Sequence, residues 1–365
     1  MKGRGEHTER RVTRLTSQRT RSAGRPTLDQ VAAHAGVGRG TVSRVVNGSP
    51  QVSEVAREAV QRAITELGYV PNRAARALVT NRTDSVALVV SESEERVFGE
   101  PFFAGIVRGI SSVLAETRMQ LWLAMAQSPA DRERVEYHLT TQHVDGVMLL
   151  SLHDSDPLPA LLSERGLPTV LGGRPARMLE PGNVSSDAGG ICFVDVDNAG
   201  GARSVVEYLL GLGRRTVGVI AGPQDMGVGV ARLDGYREAL LLAGIAADER
   251  LVAFGDFSEA SGAVATQELL RARPDLDALF ASSDLMAAGA IRALREAGRR
   301  VPADVAVVGF EDSAIAQQTD PPLTTVHQSV EAMGREMARL LLARITGNDA
   351  QSILLNTYLV VRESA

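Results

Sequence analysis

The chain has 365 residues, of which 44% are hydrophobic and 23% charged. This length suits two or three domains, and this hydrophobic fraction excludes wholesale disorder. The net charge of −5 conceals a split, because residues 1–82 carry 15 basic and 6 acidic side chains whereas the remainder carries 24 and 38. A small basic part joined to a large acidic part indicates a polyanion-binding head on a body with another task.

Composition also argues against several classes of protein. The single cysteine, Cys192, excludes a disulfide framework and a cysteine-ligated zinc site within one chain. No apolar run approaches the roughly 18 residues of a membrane-spanning helix, and the polar, basic N-terminus lacks the apolar region of a signal peptide. We therefore expect a cytoplasmic protein with no membrane partner.

A disordered basic arm is predicted for residues 1–24, where the apolar residues are scattered. A solvated tail is the interpretation that we favour. The alternative is an arm that adds non-specific attraction to phosphates.

Three short helices follow the arm. The first begins at a capping box on Thr27 and ends at Gly36. The second covers about residues 39–48, and the third is capped by Ser53 and ends at Gly68. The third helix is expected to bury one stripe of apolar side chains, formed by Val55, Ala59, Ala63, Ile64 and Leu67.

The second of these helices is expected to bury its valines at 42, 45 and 46 and to expose a basic and hydroxylated face. An arginine in a DNA major groove can pair with O6 and N7 of guanine, whereas most such faces are simply solvated. The basic charge of the head and the flanking helices favour a helix-turn-helix domain that binds DNA. The outward side chains are Arg39, Thr41, Ser43 and Arg44.

A further helical segment of about nine residues follows Pro71, and a helix this short is marginal alone in water. From Ser85 onward, β-branched runs alternate with helical stretches, which predicts parallel sheets with helices on both faces and two α/β lobes with a cleft between them. The expected strands are 85–90, 120–126, 146–150, 169–171, 191–196, 216–221, 278–281 and 305–310. The expected helices are 102–117, 130–141, 198–212, 232–243, 258–272 and 285–297.

Enzyme and cofactor signatures are absent from the sequence. It contains no phosphate-binding loop, no nucleophile elbow and no zinc-protease motif. The six histidines are dispersed, so we expect no metal site, no cofactor and no enzymatic activity.

Ligands of doubly wound sheets bind at the carboxyl ends of the strands, and polar side chains there suit a polyhydroxylated molecule. Each candidate also has a local explanation, since Asp284 and Asp312 could cap a helix or a turn and Arg174 could be a surface arginine. The strand ends carry Ser91, Ser151 and the segments 172–174, 222–223, 282–284 and 311–312.

Several segments resemble the lactose-repressor (LacI/GalR) family of transcriptional regulators. The resemblance runs in register from residue 27 to about 362, and residues 38–44 and 87–103 are most similar to cellobiose-responsive repressors of cellulose-degrading genes. The motifs that carry it are residues 27–32, 35–37, 41–47, 67–75, 195–198, 232–236, 283–287, 307–310 and 320–326.

The resemblance implies a homodimer on a palindromic DNA operator. Arg39, Gly40 and Arg44 match base-reading positions of the family, and Leu78, in a hinge helix at residues 72–79, matches the leucine that wedges into the minor groove. The expected DNA contacts are Arg39, Gly40, Thr41, Ser43, Arg44, Asn47, Asn72, Arg73, Ala75 and Leu78.

The resemblance also implies a sugar effector in the body. Arg232 matches the arginine that clamps sugar hydroxyls, although it could instead be a surface arginine paired with Asp234 or Glu238. Two positions depart from the family: Gly38 stands where many members have serine, and Glu311 stands where most sugar-binding members have aspartate. The expected effector contacts are Phe102, Phe103, Arg174, Arg232, Phe257, Ser283, Asp284 and Glu311.

The sequence thus predicts a repressor of carbohydrate-utilisation genes that cellobiose or a related oligosaccharide releases from DNA. A solute-binding protein for sugar uptake is the alternative from another class, and a sugar-modifying enzyme is third. The expected domains are the arm 1–24, a DNA-binding head 25–70, a hinge 71–82 and an effector-binding, dimerising body 83–365. Its first lobe is expected at about 83–196 and 327–350, and its second at about 197–326 and 351–365.

Overall fold

The computed structural model describes residues 26–70, 82–141, 143–179 and 192–365. The chain separates into two compact units after residue 81. The expected arm and hinge helix, including Asn72, Arg73, Ala75 and Leu78, lie outside the described residues.

The head consists of three helices, α1 (Leu28–Ala35), α2 (Arg39–Val46) and α3 (Glu54–Leu67). The predicted capping box at Thr27 is formed in both directions, and Gly36 ends α1 with a left-handed φ of 67° that favours glycine. The head's core contains one fully buried valine from each helix, namely Val31, Val42 and Val60.

The predicted stripe on α3 is wrong at Val55, which is 79% exposed, whereas Val60 is fully buried. At 100° per residue, Val55 lies about 140° around the helix from Val60. The buried face of α3 is therefore centred on Val60 and Ala63, and Val55 points into solvent.

The first lobe of the body is built on a six-stranded parallel sheet. Its strands are β1 (Ser85–Val90), β2 (Gln120–Met125), β3 (Gly146–Leu150), β4 (Thr169–Gly172), β5 (Cys192–Val196) and β11 (Ile353–Leu355), in the order β11-β5-β4-β3-β1-β2. Its helices are α4 (Glu94–Gly99), α5 (Pro101–Leu114), α6 (Pro129–Thr140), α7 (Leu158–Glu164) and α12 (Val330–Ile345).

The second lobe repeats this design with one antiparallel edge strand, β12, beside β10. Its strands are β6 (Val217–Ala221), β7 (Val252–Phe254), β8 (Ala278–Ala281), β9 (Ala306–Glu311), β10 (Thr324–His327) and β12 (Tyr358–Val360), in the order β12-β10-β9-β8-β6-β7. Its helices are α8 (Asn198–Gly211), α9 (Gly227–Leu242), α10 (Glu259–Ala272) and α11 (Asp284–Glu296).

Both sheets are covered on both faces, as the alternation of strands and helices predicts. On β1, Val86 and Leu88 belong to one apolar cluster, and Ala87 and Val89 belong to another. The second sheet also separates two clusters. The helices therefore leave the carboxyl ends of the strands uncovered, and the loops that follow the strands meet there.

Helices α5 and α12 cover the first sheet together and approach each other very closely. A Cβ atom on Gly109 would lie 2.2 Å from the carbonyl oxygen of Glu331, so only glycine fits at this crossing. Among the described residues, no helix is long and apolar enough to cross a membrane.

The chain passes between the lobes three times, near residues 196–198, 327–330 and 355–358. We expected residues 351–365 in the second lobe, but β11 pairs in parallel with Val194–Val196 of the first. The expected boundary at residue 351 placed the third passage before β11, whereas the chain passes to the second lobe after β11, at residues 355–358. We refer to these three segments as the crossovers.

Candidate functional site

A cavity lies between the two lobes, at the carboxyl ends of their strands. It has a volume of about 730 Å³, including the part that is open to solvent, and both lobes contribute to its walls. Six of the eight expected effector contacts line it: Phe102, Phe103, Arg174, Arg232, Phe257 and Glu311.

Arg232, near the start of α9, is only 3% exposed, which excludes the surface arginine considered above. Its Nε donates to Oδ1 of Asn198 at 2.9 Å, Nη1 donates to the carbonyl oxygen of Ser282 at 2.6 Å, and Nη2 donates to Oε1 of Gln328 at 3.3 Å. Burial lowers the pKa of Arg232 to about 10, so the guanidinium remains charged at neutral pH. A guanidinium has five N–H groups, and two are left after these three bonds to described residues.

Arg232 also connects to the first lobe through buried polar side chains. Asn198 donates from Nδ2 to Oδ1 of Asp195 at 3.0 Å, and Arg174 donates from Nε to Oδ2 of the same carboxylate at 2.7 Å. Burial raises the pKa of Asp195, and the Arg174 guanidinium opposes that rise. The two arginines expected at the effector are thus joined through the first crossover.

Glu311 ends β9 and lines the cavity. Burial, followed by the nearby Asp284 carboxylate, raises the pKa of Glu311 to about 8, against the attraction of Arg232. Its side chain is therefore largely protonated at neutral pH. A protonated carboxyl can both donate and accept a hydrogen bond, as a sugar hydroxyl requires.

Backbone strain concentrates at this edge of the two sheets. Ser151, Phe257, Glu311 and Asp312 have positive φ angles of 55°, 71°, 120° and 55°. Positive φ angles are uncommon for residues other than glycine, and each costs of order 1–3 kcal/mol. Three of the four line the cavity, which is typical of a functional site.

Ser283 and Asp284, which we expected among the effector contacts, are not brought to the cavity lining. The Ser283 hydroxyl accepts from the Met286 amide and caps α11. The fully buried Asp284 accepts from the amide and hydroxyl of Ser313 and from the hydroxyl of Thr325. Both side chains fix loops and therefore have structural roles.

Sequence reasoning missed Arg96, Glu100, Asn198 and Gln328, which also line the cavity. Gln328 follows β10 directly and Asn198 lies two residues after the end of β5, so the rule of ligands at strand ends could have found them. Arg96 and Glu100, which pair at 2.7 Å, lie on and just after α4, a helix too short to show a clear period.

In the head, α2 presents the expected face. Arg39, Gly40, Arg44 and Asn47 are exposed, and the expected contacts Thr41 and Ser43 are partly buried. As the glycine at 38 predicts, no side chain caps the start of α2. A Cβ atom on Gly40 would meet only Nη2 of Arg44, at 3.9 Å.

Comparison with known proteins identifies both parts of the chain. The family model for bacterial regulatory proteins of the lacI family matches residues 27–72, and the model for a periplasmic binding protein-like domain matches residues 206–365. The HTH-type transcriptional regulator CelR of Thermobifida fusca is 57% identical over 342 residues, which cover 93% of this chain and 98% of CelR. The chain belongs to the LacI family.

Other LacI-family relatives agree with this assignment. The HTH-type transcriptional repressor PurR of Proteus mirabilis is 34% identical over 345 residues, covering 93% of this chain and 96% of PurR. A solved complex of the transcriptional regulator CelR with cellobiose is 55% identical, has a TM-score of 0.73, and covers 93% of this chain and all of that one. A lac repressor dimer bound to operator and the anti-inducer ONPF is 29% identical, with a TM-score of 0.79 and coverage of 93% and 99%.

This LacI-family chain is a DNA-binding transcriptional regulator, as its sequence predicts. The head that its relatives share argues against the alternative of a solute-binding protein for uptake. Among the described residues, no group of three or more histidine, cysteine, aspartate or glutamate side chains is placed to hold a metal ion.

Proposed function

We propose that the chain represses carbohydrate-utilisation genes and is released from its operator by a small sugar, cellobiose or a related oligosaccharide. The observation that carries this proposal is Arg232, buried in the interlobe cavity as a cation with two N–H groups that bond to none of the described residues. A guanidinium fork can donate to two neighbouring hydroxyls, and charge-assisted bonds of this kind are about twice as strong as neutral ones.

The other walls of the cavity fit the same ligand class. Phe102, Phe103 and Phe257 offer apolar surfaces to the carbon face of a sugar ring, and polar groups from both lobes surround them. The solved CelR complex with cellobiose, from a relative 55% identical, supports cellobiose as the first candidate.

The partners of Arg232 provide a route from the effector to the rest of the molecule. Asn198 lies at the first crossover and Gln328 at the second, so a ligand that engages Arg232 acts on a side chain bonded to both. A sugar that bridges the lobes changes the angle at these crossovers, and in a dimer that change alters the spacing of the two heads.

We propose that the DNA-bound form is a homodimer on a palindromic operator. The dimeric lac repressor complex with operator supports this assembly. On each half-site Arg39 and Arg44, which are exposed on α2, would read guanines in the major groove, while Gly40 offers no side chain. Thr41, Ser43 and Asn47, and the hinge residues Asn72, Arg73, Ala75 and Leu78, are proposed as further DNA contacts.

The test measures operator binding with and without sugars. An operator is first selected from random-sequence DNA with the full chain, and its affinity is then followed by fluorescence anisotropy while mono- and oligosaccharides are added. We expect cellobiose to weaken operator binding, and operator to weaken cellobiose binding by the same factor, because coupling between two sites is reciprocal. A panel in which no sugar changes the operator affinity would contradict the proposal.

A further inference from the structure

Outside the cavity lining, the two lobes contact each other through a pair of charged side chains. Nδ1 of His153, in the loop after β3 of the first lobe, lies 2.7 Å from Oδ2 of Asp225, in the loop after β6 of the second. The backbone amide of Asp154 donates to the carbonyl oxygen of Asp225 at 2.9 Å. Leu152 and Met226, the chain neighbours of this pair, line the cavity, but the pair itself does not.

A buried carboxylate of the first lobe also lies close to the imidazole of His153. Glu92, which is 6% exposed, follows β1 and places Oε1 3.8 Å from Nε2 of His153. The same oxygen lies 2.6 Å from Nη1 of Arg96, so this charge keeps a partner inside the first lobe. Glu92 and Asp225 together raise the pKa of His153 to about 9, and the imidazole is therefore positively charged at neutral pH.

We propose that His153 and Asp225 form an interlobe latch, a pair of positioning residues that favours closure of the lobes around the effector without contacting it. The proposal rests on the proposed function, because closure matters only if the cavity binds an effector. An effector that needs the closed arrangement binds with an apparent affinity reduced by the fraction of molecules that are closed. A contact that exists only between the lobes raises that fraction.

The two sides of the latch differ in what remains when it opens. His153 keeps Glu92 on its own lobe, and the Asp225 side chain, already 58% exposed, passes readily into water. Opening therefore leaves no unpaired buried charge, and removal of Asp225 should leave both lobes folded. These properties suit a contact that forms and breaks during function.

The first experiment is a double-mutant cycle on cellobiose binding. Calorimetry and stopped-flow dissociation are measured for Asp225→Asn, His153→Gln and the double variant in the full chain. We expect each single variant to weaken binding about two- to fivefold, the range for a partly exposed ion pair, mainly through faster dissociation. The double variant should bind cellobiose no more weakly than the weaker-binding single variant, because the two substitutions remove the same contact.

Two further variants separate a latch from a general structural effect. Glu238→Gln breaks a pair of similar exposure, Arg203 with Glu238 at 3.1 Å, that lies within the second lobe and should leave binding unchanged. His153→Lys keeps a cation between the two carboxylates and should restore most of the affinity. Additive losses in the double variant, or a loss in Glu238→Gln equal to that of Asp225→Asn, would overturn the latch.

A second readout requires no ligand. Spin labels on Tyr137→Cys of α6 and Leu241→Cys of α9, which are 70% and 76% exposed, report the distance between the lobes in a Cys192→Ser background. We expect Asp225→Asn to lengthen or broaden this distance distribution without sugar, and an unchanged distribution overturns the latch. If the distribution shifts but no sugar binds the unsubstituted chain, the latch stands and the proposed function fails.

Discussion

Arg232 is the residue on which effector recognition is proposed to depend. Arg232→Ala removes a charged donor from a closing cavity, at about 1.5–3 kcal/mol per hydrogen bond to a charged group, and should weaken sugar binding ten- to a hundredfold or more. The head is untouched, so the variant should bind operator normally and resist release.

The measurement is a titration of cellobiose into the preformed complex of operator and variant. Arg203→Ala, a nearby arginine on α8 that pairs with Glu238 outside the cavity, serves as the control and should be released normally. Release of the Arg232 variant at the concentration that releases the unsubstituted chain would show that this arginine does not hold the effector.

Glu311 should make the stability of the body depend on pH. Its pKa of about 8 lies above the ordinary value of 4.5, so the folded chain binds an extra proton between these two pH values. The free energy of unfolding must then fall as pH rises from about 4.5 to 8, because the unfolded state binds fewer protons over that interval.

Urea unfolding of Glu311→Gln and the unsubstituted chain, compared at pH 5, 6.5 and 8.5, measures this effect. We expect the difference between the two chains to shift in favour of the glutamine variant as pH rises. His153, with a pKa raised to about 9, makes both chains lose stability between pH 6.5 and 9, and the difference between the chains removes this shared contribution. A difference independent of pH would mean that Glu311 is ionised throughout this range.

At this scale, the sequence identified the residues with the most distinctive chemistry. Six expected side chains reach the cavity because strand ends and family motifs locate them directly. Ser283 and Asp284 lie at the same kind of strand end, but their side chains turn toward α11 and the loop at Ser313. The direction of a side chain at a strand end depends on the loop that packs above it, which the local sequence does not specify.

Among the elements, two glycines of the head offer a paired test of backbone conformation: Gly40 lies inside α2, and Gly36 ends α1. Gly40 lies inside the helix, and a Cβ there would make only an ordinary contact with Nη2 of Arg44 at 3.9 Å, so Gly40→Ala should stabilise the head by about 0.5–1 kcal/mol. Gly36, with a φ of 67°, should respond to the same substitution with a loss of stability, because alanine is strained in that conformation.

Amide exchange of the buried valines at 31, 42 and 60, measured in the full chain, reports both changes. Protection should rise in the first variant and fall in the second. An equal fall in both would mean that Gly40 is needed for helix packing and not only for its exposed position.

The elements also show where sequence patterns lose their power. Strands β7 and β11 have only three residues, too few for a period of two, and they exist because parallel neighbours complete the sheets. Helix α12 is different, since Met333, Met337, Leu340 and Leu341 follow a helical spacing. That spacing is sufficient to predict a helix, yet the helices expected from the sequence did not include this one.

The charge of the whole molecule predicts how operator binding responds to salt. Each phosphate that the basic head neutralises should contribute about −0.9 to the slope of log K against log salt concentration. Deletion of residues 2–24 should reduce this slope modestly and leave the preference for operator over random DNA intact. Anisotropy titrations between 50 and 300 mM salt, run on both DNAs, measure both quantities, and loss of the preference would make the arm a recognition element.

The three crossovers also determine the order in which the body can be completed during synthesis. Most of the second lobe is encoded between a long first segment and a short second segment of the first lobe, so its strands β6 to β10 leave the ribosome before α12 and β11 exist. Until α12 arrives, the sheet face that packs against Met337 and Leu341 has no cover, and exposed apolar surface of this kind invites aggregation. From residue 196 until residue 355 has emerged, the nascent chain therefore carries a first lobe that lacks one helix and one edge strand.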